Sequence, residues 1–192
     1  MVQASATARS QARRTPPVLF GTIAFLASEL LLFGGLFAAY FGLRSETTPW
    51  PPAGVHLDVL LGAVGTALLL TSSFTFHLGA NAAGRGRFGA FRAWILLTMA
   101  LGLAFLGVEL YDWLTLDFSV STHAYGTMYY TMTGIHWLHV TAGLVLMVVV
   151  LGRLAQGAYR DGHLEGMHAA SYYWHFVDGV WLALFLTLFV LR

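Results

Sequence analysis

Glu29 lies within the run FLASELLLF (Phe25–Phe33). An ionisable group inside an apolar stretch is costly and is a functional candidate by default. At 1.5 Å per residue it sits ~16 Å from the start of its segment, near the middle of a ~30 Å hydrocarbon core. A bare carboxylate there would cost several kcal/mol, so the side chain is expected to be neutral or to share its proton with a neighbouring helix. His136 and His139, spaced i, i+3 in GIHWLHV (Gly134–Val140), occupy one helical face. Depth favours His136 as the partner of Glu29, with His139 taking its place if the helices tilt. Paired helical histidines also suit metal or haem. Such sites draw ligands from several helices, however, and no Glu-x-x-His motif recurs, so interhelical hydrogen bonding is the preferred reading. His175 and Asp178, again i, i+3 in YYWHFVDGVW (Tyr172–Trp181), are expected to pair with one another. Glu109 and Asp112 close the third apolar stretch, where snorkelling to an interface makes charge cheap. His56, His123, His163 and His168 belong to loops or their edges and carry no clear signal. With no cysteine, thiolate chemistry, disulfides and cysteine-held clusters are excluded.

These side chains are carried by a chain of 192 residues that is 57% hydrophobic and 10% charged. Soluble domains are about 25% charged, so an ordinary soluble enzyme is excluded, and 15% aromatic residues argue against disorder. A net charge of +1 with no basic cluster gives no reason to expect nucleic acid as a partner. A spanning helix needs about 20 mostly apolar residues. Five stretches qualify: Val18–Leu43, Leu57–Leu78, Ala90–Leu114, Gly126–Leu151 and Ala169–Leu191. The expected fold is therefore all-α, a polytopic five-helix transmembrane bundle over 18–192 behind a cytoplasmic N-terminal arm, 1–17. The first run is too long for a signal peptide and is read as a retained helix. Arg9, Arg13, Arg14, Arg85, Arg87, Arg92, Arg153 and Arg160 fall on one side, and Arg44 and Arg192 on the other. The positive-inside bias puts the N-terminus inside and the C-terminus outside. The loop TPWPP (Thr48–Pro52) is expected to be an ordered cap and Gly84–Gly89 a tight turn. Gly34-x-x-x-Ala38, Ala100-x-x-x-Ala104 and Gly179-x-x-x-Ala183 fit the small-residue spacing of helix contacts.

Taken in order, FLASELLLF, the Trp50-Pro51-Pro52 loop, Glu109-Leu110-Tyr111, Tyr125-Gly126, GIHWLHV and SYYWHFVDGVW (Ser171–Trp181) resemble subunit III of haem–copper cytochrome c oxidase, from about Val18 onward. The resemblance implies a membrane complex that oxidises cytochrome c, reduces oxygen to water and translocates protons. Subunit III in that family carries no haem or copper, which reside in partner subunits. It packs on subunit I within an assembly that includes subunit II and other respiratory subunits. It also binds phospholipid and sustains assembly, proton uptake and turnover. By that resemblance no residue here is catalytic, cofactor-binding or metal-ligating, and the buried polar set is Glu29, His136, His139, His175, Asp178 and Glu109. Longer family members have seven helices, and this chain is expected to correspond to the last five. The family's V-shaped lipid cleft needs the first two, which leaves bound phospholipid open. A five-helix form rich in Arg and devoid of Lys points to a bacterial inner membrane. The corresponding subunit of a quinol oxidase, or of a nitric-oxide-reductase-associated homologue, shares these motifs. A stand-alone membrane metalloenzyme or a small transporter using Glu29 and the histidine pairs is the more distant alternative.

Overall fold

The computed structural model describes residues 17–159 and 164–191. The N-terminal arm with Arg9, Arg13 and Arg14, together with Arg160, His163 and Arg192, lies outside them. Five helices follow one another: α1 (Pro17–Glu46), α2 (Val59–Gly84), α3 (Phe88–Thr115), α4 (Ala124–Ala155) and α5 (Glu165–Phe185). The last continues as a π-helical turn, Leu186–Val190. With that turn counted into α5, all five are long and apolar enough to cross a membrane.

Local chemistry sets the helix ends. Pro17 opens α1, where its missing N–H would have had no partner in any case. Asp58 caps α2 by accepting from the backbone N–H of Leu60 (2.9 Å) and Leu61 (3.1 Å). His123 caps α4, its Nδ1 accepting from Gly126 N (2.8 Å). The expected tight turn between α2 and α3 is a Schellman motif. Arg87 N donates to Ala82 O, Gly86 N donates to Ala83 O, and Gly86 takes the left-handed conformation (φ +70°) that glycine adopts without strain. The TPWPP loop seats Trp50 between Tyr40 and Tyr125, with ring centroids 5.3 Å from each. Those two tyrosines point inward, not to an interface. Tyr40 Oη donates to Thr187 O (3.4 Å) and Tyr125 Oη to Leu188 O (3.1 Å), both carbonyls of the π-turn.

α2 and α3 make the most extensive contact, α5 lies against α1, α2 and α4, and α1 touches only the α4–α5 side substantially. The small-residue spacings expected to form contacts do not. Gly34 and Gly179 have no atom within 4 Å of where a Cβ would stand, and Ala38, Ala100 and Ala104 are exposed. A spacing of four defines a stripe without saying which way it faces. The glycines used for close approach are those opposite large rings, Gly102 and Gly143 above all. A Cβ on Gly102 would stand 2.9 Å from the indole of Trp174, and one on Gly143 2.6 Å from it. Trp174 is fully buried, and its Nε1 donates to Ser72 Oγ on α2 (2.9 Å). One α5 side chain thus engages α2, α3 and α4.

Gly143→Ala should overpack this contact and destabilise the chain by about 1–3 kcal/mol. Gly152→Ala, on the same helix with nothing within 4 Å, should leave stability unchanged or raise it by up to about 1 kcal/mol. Denaturant unfolding of both variants in mixed micelles checks the contrast.

Candidate functional site

Among the described residues, three polar centres that include a titratable side chain lie within the bundle. In the first, α1 presents Glu29 to α4, and Glu29 Oε2 lies 2.8 Å from His139 Nε2. The two side chains are 16% and 13% exposed. His139 Nδ1 is 2.7 Å from the carbonyl of Ile135. A carbonyl only accepts, so Nδ1 carries a hydrogen. The Nε2–Oε2 contact then holds a single proton, either as carboxylic acid with neutral imidazole or as carboxylate with imidazolium. The ring is held between the edge of Phe33 (5.2 Å) and the stacked face of Tyr173 (6.5 Å), and Tyr173 Oη donates to the His139 carbonyl (3.0 Å).

The partner expected from depth, His136, is not the one used. His136 is fully buried, stacks on Trp181 (5.1 Å) and meets the edge of Phe105 (5.8 Å). Neither ring nitrogen has a hydrogen-bond partner among the described residues. Depth along a helix axis ignores rotation about it. Three residues turn the side chain by about 60°, enough to send His139 toward α1 and His136 toward α3 and α5.

The second centre joins α2 to α5. His175 does not pair with Asp178; its Nδ1 reaches across to Ser73 Oγ (2.5 Å). Asp178 is buried with both carboxyl oxygens unpartnered among the described residues, although the same Ser73 hydroxyl lies beside it. An i, i+3 spacing puts these two groups on one face, but the His175 ring is turned across to the Ser73 hydroxyl instead of along its own helix.

The third centre corrects the snorkelling reading of Glu109 and Asp112. Both are buried, 4% and 5% exposed. Asp112 Oδ2 accepts a short hydrogen bond from Tyr129 on α4. Beside it Trp113 Nε1 donates to Thr133 Oγ1 (3.1 Å). Glu109 Oε1 has no partner among the described residues. Each centre sets a carboxyl or imidazole group of one helix against a side chain of another. Among the described residues no three His, Asp or Glu side chains are grouped so as to hold a metal.

A feature without a sequence signal lies at the end of the bundle that carries Arg85, Arg87, Arg92 and Arg153. An apolar groove of 790 Å³ runs between α1, α4 and α5 past Phe25, Val149 and Tyr173. Its mouth is at Gly166, in the first turn of α5. A Cβ there would be 3.4 Å from Arg153 Nη1 and 3.9 Å from Tyr159 Oη. Tyr159 is 2% exposed, and its hydroxyl has no partner among the described residues. Burial pushes the Tyr159 phenol up from its ordinary value against the opposing effect of Arg153, so it remains a donor at neutral pH. A guanidinium, a buried phenol and the first turn of α5, which has no side-chain cap among the described residues and carries Glu165, come together there. Only folding brings Arg153, Tyr159 and Gly166 together.

Five apolar spans joined by interhelical polar pairs define a polytopic helical protein of the membrane. The family model for cytochrome c oxidase subunit III matches residues 6–191, and the chain belongs to that family. It is 38% identical to the cytochrome c oxidase subunit 3 of Thermostichus vulcanus, over 98% of this chain and 95% of the relative. It is 40% identical to that of a Synechocystis strain, over 90% and 75% respectively. The probable cytochrome c oxidase subunit 3 of Mycobacterium tuberculosis is 38% identical, over 91% and 88%.

A double-mutant cycle on Glu29→Ala and His139→Ala, read by unfolding in micelles, should give a coupling of about 1.5–3 kcal/mol, as for hydrogen bonds to charged groups. The same cycle on Glu29 and His136 should give a coupling near zero.

Proposed function

We propose that this chain is the non-redox subunit III of a proton-translocating cytochrome c oxidase in a bacterial inner membrane. It packs on subunit I, in company with subunit II, and sustains assembly and proton uptake, while haem and copper reside in the partner subunits. The observation that carries this reading is how three imidazoles of the spans, those of His136, His139 and His175, are held. His139 is committed to Glu29 and Ile135, His175 to Ser73, and His136 is enclosed by Trp181 and Phe105. Ligation through His139 or His175 would require breaking these hydrogen bonds, and His136 is walled in by two aromatic rings. Within a family of oxidase subunits, that supports a role in holding and supplying the complex and not in moving electrons.

Bound phospholipid is part of the proposal. The α1–α4–α5 groove suits an acyl chain, with the phosphate at Arg153, Tyr159 and the start of α5. Positive-inside bias orients the arginine-rich end, with Arg85, Arg87, Arg92 and Arg153, to the cytoplasm and Arg44 to the opposite face.

Purification through a tag on this chain in mild detergent should bring down a haem-bearing polytopic subunit and cytochrome c-dependent oxygen consumption. The chain freed of its partners should be colourless and lack stoichiometric iron or copper. A haem band that stays with the isolated chain and disappears in His136→Ala would overturn the non-redox role. Reporter fusions within Gly84–Gly89 and after Arg192 should report opposite sides of the membrane.

A further inference from the structure

Where α2 and α5 meet at the arginine-rich end, a recess of 440 Å³ opens between them. It is lined by His77, Asn81 and Arg85 from the α2 side, spaced four apart, and by His168, Ser171 and Tyr172 from α5. We propose that this recess binds a phosphate-bearing anion, taken either from a phospholipid headgroup or from free phosphate. It lies on the other side of α5 from the acyl groove and stands whatever the role of the chain in an oxidase.

Each of the six side chains can donate a hydrogen bond. None makes one to the protein among the described residues, in a bundle whose other polar side chains are largely engaged across helices or with their own backbone. No carboxylate lines the recess. The acids of the two helices lie elsewhere: Asp58 caps the opposite end of α2, Glu165 starts α5, and Asp178 is buried a turn beyond His175. A site intended for a cation or a peptide amine would carry acceptors, whereas this one presents a guanidinium, two imidazoles, an amide and two hydroxyls. Arg85 supplies the fixed positive charge and the planar fork that suits phosphate oxygens.

The recess is also held open in advance. Immediately deeper, Ser73 and His175 are hydrogen bonded across the same pair of helices, and beside them Ser72 accepts from Trp174. The two donor rows therefore keep their separation without a ligand, and binding need not order the backbone. At a membrane interface, phosphate is the anion present at highest density, and Tyr172, half exposed, is placed to bridge headgroup and acyl region.

The test uses the full chain in non-ionic detergent as wild type, as His77→Ala/Arg85→Gln, and as Arg92→Gln, a control outside the recess. Native mass spectrometry during titration with phosphatidylglycerol and calorimetry with inorganic phosphate separate the two sources. A headgroup source requires the double variant to retain one phosphatidylglycerol fewer than wild type, with no saturable heat from inorganic phosphate. A free-phosphate source requires saturable binding of inorganic phosphate that weakens about tenfold or more in the double variant, the scale of a lost charge-assisted hydrogen bond. Arg92→Gln should match wild type in both. His168→Gln, at an exposed position, gives the same readout should the double variant fail to fold. Equal lipid retention together with no phosphate binding sensitive to these residues overturns the proposal.

Discussion

Lipid offers helices no hydrophobic reason to associate, so a membrane bundle depends on close packing and on hydrogen bonds between spans. Here both are concentrated on one indole. Trp174 enters a notch left by Gly102 and Gly143 and donates its N–H to Ser72. Its neighbours in sequence extend the hold. Tyr173 donates to the carbonyl of His139 on α4, and His175 bonds Ser73 on α2. Three successive residues of α5 thereby set its rotation, and through that rotation the positions of the polar groups on the helices around it. The Glu29–His139 pair depends on this, because Tyr173 both stacks on the imidazole and anchors its backbone.

The polar centres differ in how completely they are satisfied. Glu29 and His139 satisfy one another through one proton, whereas His136, Asp178 and one oxygen of Glu109 are enclosed with no protein partner among the described residues. Unpaired buried polar groups are costly, and their presence in a bundle otherwise well bonded marks places where the chain is not built for stability alone.

The spans could be read from hydropathy because apolar runs of such length have few other uses, although the helices overran the apolar cores. α2 continues from Leu78 to Gly84 through Asn81, and α5 starts at Glu165 instead of Ala169. Family membership was legible in GIHWLHV and SYYWHFVDGVW, whose residues turned out to be the ones that tie α4 and α5 into the bundle. What could not be read was azimuth. His136 and His139 share a face, yet only one of them meets Glu29. His175 and Asp178 share a face, yet His175 looks to Ser73. Gly34 and Gly179 have the spacing of contact residues but face outward, while Gly102 and Gly143 depend on a tryptophan far along the chain. The recess at His77 and His168, and the mouth at Arg153, Tyr159 and Gly166, are made of residues whose separation in sequence carries no hint of proximity. Glu109 and Asp112 looked interfacial from their place at a helix end, and are buried because Tyr129 and Trp113 close over that end.

The chain has no native cysteine, so spin labels can be placed at will, and exposed Leu70 on α2 and Leu138 on α4 are suitable sites. Pulsed dipolar spectroscopy between them reports whether α5 holds its neighbours at fixed separation. One narrow distance distribution is expected in the otherwise wild-type chain. Trp174→Ala should broaden it markedly, and Trp174→Phe, which keeps a ring but loses the N–H donor to Ser72, should broaden it less. A distribution that stays narrow and unshifted in Trp174→Ala would contradict the claim that this one side chain organises the bundle.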